Sequence, residues 1–177
     1  MAARELRSFA LVGLRGSGKS TLARRLARRL RLPCVDMDHL LEEQAGRAIA
    51  DWVAEAGWGP FRKAEEQLLR DLAEGPRAVV STGGGVVTSS RSRLLLRRSF
   101  LTIYLHWPAE TLARRIRRDP YRPPLKEGLT LEQEMQALHR ERDPLYRRAA
   151  RYTVENAPGD KPKDTLEKLL HLLGTPG

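Results

Sequence analysis

The chain predicts an α/β fold: a five-stranded parallel sheet flanked by helices. Three observations lead there. Short apolar runs alternate with helical periodicities from end to end, as in strands covered on both faces. The first apolar run opens directly into GLRGSGKST, Gly13 to Thr21. Each further acidic or glycine-rich motif falls at a predicted strand end or in a loop that can reach one, where ligands of such sheets bind.

The elements follow in order. SFALVG (8–13) is a short continuous apolar run, hence a buried strand. Leu22, Leu26 and Leu30 then recur every four residues beside Ala23 and Ala27, a helix reaching about Arg31. Its Arg24, Arg25, Arg28 and Arg29 fill the opposite arc as a solvated face. LPCVDMD (32–38) is the second strand, with Pro33 at its start. HLLEEQAG, AIADWVAEAG and PFRKAEEQLLRDLAEG are helices stopped by Gly46, Gly57 and Gly75. AVVSTGGG (78–85) is the third strand and its exit loop. RSRLLLRR is a short helix, FLTIYLHW (100–107) a fourth strand, and PAETLARRIRR a helix begun by Pro108. DPYRPPLKEG (about 119–128) holds too much proline and glycine for either element and has the character of a lid. A helix over Leu131–Ala149, a strand near RYTVEN and a helix around DTLEKLLHLL complete one expected domain over 1–177.

Composition narrows the class. Lys and Arg number 32 against 22 Asp and Glu, a net charge of +10. No aromatic-interleaved basic ribbon, zinc finger or helix-turn-helix accompanies that charge, so no nucleic-acid partner is expected. A positive surface also draws a small anionic substrate. The single cysteine, Cys34, allows no internal disulfide. No window approaches the ~18 apolar residues of a membrane span. A cytoplasmic monomer without membrane contact is expected. The four histidines, His39, His106, His139 and His171, show no metal-ligand spacing and read as surface or packing residues.

Gly13 to Ser20 matches G-x-x-x-x-G-K-[ST] between a strand and a helix. Glycines let successive N–H groups turn inward on an anion, and the helix N-terminus adds partial positive charge. Lys19 can reach β- and γ-phosphate oxygens, and the Ser20 hydroxyl can ligate Mg²⁺. The loop therefore binds ATP or GTP, without naming the acceptor.

Three clusters address the acceptor, and two later arginine-bearing stretches add to them. In DMD, strand alternation would put Asp36 and Asp38 on one side. One would hold a water of the Mg²⁺ shell and the other acceptor hydroxyls; Asp38 as a helix N-cap is the competing role. In FRKAEE, Arg62 and Glu65 share a helix face, so the glutamate can orient the guanidinium, with a plain surface ion pair as the alternative. STGGG ends the third strand where a nucleic-acid-dependent NTPase would carry a Walker B acid; three glycines expose N–H groups to a ligand instead. Arg122, among the lid prolines, could be carried onto the γ-phosphate. RDPLYRR adds Arg142 and Arg147, five apart and on different faces.

GLRGSGKST, DMD, FRKAEE, STGGGVV, YRPPL and RDPLY together resemble shikimate kinase in order and spacing over essentially the whole chain. The resemblance implies a P-loop kinase of the nucleoside-monophosphate-kinase type with a lid, and transfer of the ATP γ-phosphoryl to the 3-hydroxyl of shikimate, in aromatic amino-acid biosynthesis. It implies that Gly16, Ser17, Gly18, Lys19, Ser20 and Thr21 hold the phosphates, with Lys19 on the transferring group. Ser20, and Asp36 through water, would serve Mg²⁺. Asp38 would bind shikimate hydroxyls and accept the attacking proton. Arg62 and Arg142 would take the carboxylate, and the glycines Gly83, Gly84 and Gly85 would contact the same substrate, the substrate-binding helices running over about 38–74. Arg122 would be the lid arginine and Arg115 would lie over adenine. A kinase for gluconate would share the P-loop but has no need of FRxxE and GGG beside the RDPLY motif.

Overall fold

The computed structural model describes residues 7–116 and 128–174. Five parallel strands form one sheet in the order β2-β3-β1-β4-β5. They are β1 (Ser8–Val12), β2 (Cys34–Asp36), β3 (Val79–Ser81), β4 (Phe100–His106) and β5 (Tyr152–Glu155). The helices are α1 (Lys19–Leu30), α2 (Met37–Ala45), α3 (Ile49–Ala56), α4 (Trp58–Glu74), α5 (Ser90–Ser99), α6 (Ala109–Ile116), α7 (Leu131–Ala149) and α8 (Pro162–Leu173). All five expected strands and all eight expected helices are present. The expected lid falls outside the described residues.

Strand alternation divides β1 between two apolar layers. Phe9 and Leu11 face α1 and α8, while Ala10 and Val12 face the layer under α2 to α7. Val79 and Val80 of β3 split the same way, as do Ile103 and Tyr104 of β4. Leu22, Leu26 and Ala27 of α1 are buried, and Arg24, Arg25, Arg28 and Arg29 are all exposed. Because Leu26 has no exposed surface, truncating it to alanine would cost about 2–5 kcal/mol.

One local expectation is overturned. Strand β2 stops at Asp36, and the backbone turns helical at Met37. Met37 is fully buried, and seating it in the core starts α2 before the second aspartate. Asp38 therefore lies in the first turn of α2, and strand alternation does not relate it to Asp36. Nor is it the N-cap: Asp36 holds that position and makes no side-chain capping bond.

Register places the functional ends together. Asp36 pairs with Ser81, and Leu11 also pairs with Ser81. The carboxyl ends of β2, β3 and β1 thus open on one crevice, the binding position of such sheets.

Candidate active site

The loop after β1 is shaped by its glycines. Gly16 has φ +79, a conformation costly for side chains, and a Cβ there would lie 2.9 Å from Ile116 Cγ1. Gly18, φ 87, precedes α1 with no side-chain cap, and the first turn of α1 carries no acid. An uncapped, acid-free N-terminus leaves N–H groups and partial positive charge for an anion. Lys19 is buried, its Nζ donating to the carbonyls of Gly13 at 2.9 Å and Leu14 at 3.0 Å. Trp107, also buried, donates its indole N–H to the Ser17 carbonyl at 3.1 Å and so ties the end of β4 to the loop. Thr21 lies one turn inside α1, half-buried, beside a small cleft with Ser17 and Gly18.

The donor set for a metal is hard oxygen. The Ser20 and Ser81 hydroxyls stand 3.2 Å apart, and Asp36 is the register partner of Ser81. Hydroxyls, a carboxylate and room for water fit Mg²⁺ and offer nothing to a softer ion.

Arg115 stacks over the Trp107 ring at 3.5 Å and donates to the Asp160 carbonyl at 3.3 Å. Burial pulls its proton affinity down, partly countered by Asp160. With Thr111, Pro158 and Gly159 it lines a cleft at the edge of the sheet. Arg122 lies outside the described residues.

A cavity of about 460 Å³ adjoins the loop. It brings Asp38, Arg62, Glu65, Gly83, Gly84, Gly85 and Arg142 together with Leu14 and Arg15 of the loop itself. Glu65 is 2% exposed and accepts from Arg62 at 2.6 Å, so the pair is a wall of the cavity and not a surface bridge. Arg62 also lies 4.8 Å from the Trp58 ring centroid, and Trp58 stands 45% exposed at the rim. The Arg142 Nη1 donates to the Gly84 carbonyl at 3.2 Å. Arg147 points elsewhere, to Asp143 and Glu155.

The glycine triplet has a steric reason. A Cβ on Gly83 would sit 2.5 Å from Glu65 Oε1 and 2.8 Å from Asp38 Oδ1, and one on Gly85 would overlap the Arg62 guanidinium. The side chains that make the cavity lie directly on this backbone.

Among the described residues, two buried polar atoms there have no hydrogen-bond partner: the Arg142 Nε donor and the Glu65 Oε1 acceptor. Glu141 lies 3.8 Å from Arg142 Nε, beyond hydrogen-bond reach. Burial raises the proton affinity of Asp38, opposed chiefly by Lys19, with Asp36 and Glu42 adding to the rise. Glu65 is raised for the same reason, with Arg62 opposing. The cavity therefore offers cationic donors, an acceptor and a basic carboxylate beside the phosphate loop.

Several supports escaped sequence reasoning. Tyr146 is fully buried, stacks on Tyr104 with centroids 4.9 Å apart, and donates its hydroxyl to the Gly84 carbonyl. Arg15 of the loop pairs with the fully buried Glu134 of α7 at 2.8 Å. The only available signal for Tyr146 was its place in RDPLY, and none marked Glu134. Two histidines meet in a way their spacing did not show. His106 and His139 meet at 3.2 Å through their Nε2 atoms, although 33 residues separate them.

The sequence profile described as shikimate kinase matches residues 15–173. Shikimate kinase from Paracidovorax citrulli is 43% identical over 154 residues, 86% of this chain and 84% of that one. Among solved structures, shikimate kinase from Acinetobacter baumannii in complex with shikimate superposes with TM-score 0.86 and 35% identity, covering 98% of this chain and 96% of that one. A gluconokinase from Sinorhizobium meliloti, covering 96% and 94%, reaches TM-score 0.52 at 16% identity and shares the fold alone. With the phosphate loop and its neighbouring cavity already assembled from the same residues, these matches make the chain a member of the shikimate kinase family, a small-molecule kinase.

Proposed function

We propose that this chain phosphorylates the 3-hydroxyl of shikimate from ATP with a division of labour between the loop and the cavity. The observation that carries it is the convergence of Arg62, Arg142 and Asp38 on one cavity beside the phosphate loop. Guanidinium groups suit a carboxylate and a carboxylate suits hydroxyls, and shikimate carries both groups.

Arg62 and Arg142 bind the carboxylate, for which guanidinium forks are matched in shape and never lose their charge. Glu65 holds Arg62 in place. Asp38 accepts hydrogen bonds from the ring hydroxyls and takes the proton of the attacking oxygen; burial, by lifting its proton affinity, makes it a better acceptor. Gly83, Gly84 and Gly85 let the substrate reach the backbone. Gly16 to Thr21 cradle the phosphates of ATP, the family's phosphoryl donor, and Lys19 exchanges loop carbonyls for phosphate oxygens. Ser20, and Asp36 through water, hold Mg²⁺, which screens phosphate charge when bound. Arg115 borders the base, and Arg122 supplies charge from a lid over about 119–128. The whole acts as one domain over 1–177 and as a monomer.

The test is direct detection of phosphorylated shikimate by phosphorus NMR, with gluconate, nucleoside monophosphates and polynucleotide as alternative acceptors or stimulants. Turnover with shikimate alone is expected. Turnover stimulated by polynucleotide and not by shikimate overturns the assignment. Light scattering at working concentration tests the monomer.

A further inference from the structure

We propose that His106, His139 and Asp143 form a binding site for one divalent late-transition ion, Zn²⁺ foremost, that staples the carboxyl end of β4 to α7. His106 is the last residue of β4, while His139 and Asp143 lie four apart on α7 and so share a helix face. His106 Nε2 stands 3.2 Å from His139 Nε2 and 3.9 Å from Asp143 Oδ1. All three donor atoms fall within 4.8 Å of one another. An ion with ligands at ~2.0–2.1 Å in tetrahedral array sets its donors roughly 3.3–3.4 Å apart. The imidazole pair already stands near that spacing, and the Asp143 carboxylate would close in by up to roughly 1.5 Å to meet it.

The surroundings set up the donors. His106 Nδ1 stands 2.5 Å from Glu155 Oε2 without the alignment of a hydrogen bond, and a small ring rotation would let Nδ1–H meet that carboxylate and leave the Nε2 lone pair for an ion. That is the carboxylate–histidine arrangement found behind metal-bound imidazoles. Asp143 is fixed by the Tyr104 hydroxyl at 2.9 Å and by Arg147 Nε at 2.9 Å. Two carboxylates, Asp143 and Glu155, against the one Arg147 guanidinium leave a net negative charge beside the two rings. His106 and Asp143 are each about one-fifth exposed, so an ion can enter and keep a water. Paired imidazole nitrogens favour Zn²⁺, Co²⁺ or Ni²⁺ over Mg²⁺, which separates this site from the oxygen donors around Ser20. No reaction is assigned to it.

The rival account is an imidazole–imidazole hydrogen bond, His139 donating to His106. Titration of nucleotide-free, chelator-stripped protein with Co²⁺ and then Zn²⁺ decides between them. One equivalent of Co²⁺ is expected to give the visible absorption of a low-coordinate, nitrogen-ligated ion, displaced by one equivalent of Zn²⁺. Glu155→Gln, which alters the partner of His106 Nδ1 and also the Arg147 ion pair at 2.9 Å, is expected to weaken Zn²⁺ binding about 10- to 100-fold, and His139→Gln more. His39→Gln, on α2 and 3.3 Å from Glu43, should leave affinity unchanged. Absence of the Co²⁺ band in the unmodified protein, or unchanged Zn²⁺ affinity in His139→Gln, overturns the site in favour of the hydrogen bond. The unmodified protein's spectrum decides the matter even if a variant does not fold.

Discussion

The phosphate loop and the acceptor cavity lie side by side at one end of the sheet but are built in opposite ways. The loop is a contiguous run, Gly13 to Thr21, and on the proposed reading it binds mainly with backbone N–H groups whose direction follows from glycine torsions and the start of α1. The cavity takes Asp38 from α2, Arg62 and Glu65 from α4, three glycines after β3, and Arg142 from α7. It works through side-chain charge held in place by other side chains. A backbone site tolerates many side chains but few conformations. A side-chain site depends on each charge and on everything that supports it. Variants should therefore separate the two regions kinetically.

The largest effect is expected for Asp38→Asn, which keeps shape and removes the proton acceptor. Turnover should fall about 10³-fold, read by steady-state assay. Stability should move the other way. Burial raises the folded-state proton affinity of Asp38, so the native protein bears the cost of a buried carboxylate at pH values above that folded pKa. The melting temperature of Asp38→Asn should exceed the parent's at neutral pH, and the gap should close as pH falls through the folded pKa. A gap that widens on acidification would contradict the burial argument.

Arg62→Ala comes next. Losing charge-assisted hydrogen bonds of about 1.5–3 kcal/mol should raise the KM for shikimate roughly 10- to 100-fold, with the KM for ATP nearly unchanged. Equal rises in both would break the separation of the two regions.

Gly83→Ala sharpens the comparison from the backbone side. Its new methyl would press on Glu65 and Asp38, with an expected cost of about 1–3 kcal/mol in denaturant unfolding. Shikimate affinity should fall with it while nucleotide affinity holds. The smallest effect belongs to Tyr146→Phe, which removes one hydroxyl bond to the Gly84 carbonyl. It should cost about 1 kcal/mol and raise the shikimate KM a few-fold, and loss of ATP binding would refute its assignment to the cavity.

Legibility in sequence follows the same divide. The continuous apolar run SFALV and the four-residue leucine spacing of α1 specify their elements because both patterns are local and the faces are dry. The phosphate loop is equally local. The Arg62–Glu65 pair was legible as a helix-face pair, but its burial was not, since that depends on β3 and its glycines packing against α4. Asp38 shows the failure most clearly. DMD at a strand end suggests continued alternation, whereas burying Met37 turns the chain into α2 one residue after Asp36. The histidines failed for distance: a strand end and a helix 33 residues later carry no shared spacing.

By itself, the sequence determined the alternating strands and helices, the glycine-lined anion cradle and the residue types suited to an anionic polyol. Hydrophobic periodicity and backbone sterics act over a few residues, so they are written locally. Only the tertiary structure decided that Arg142 meets the Gly84 carbonyl, that Glu134 anchors Arg15, and that Tyr146 lies beneath the glycine turn. Those contacts arise when α7 packs back across the carboxyl ends of strands formed far earlier in the chain. Their energies come from burial and charge at long separation, which no short stretch of residues encodes.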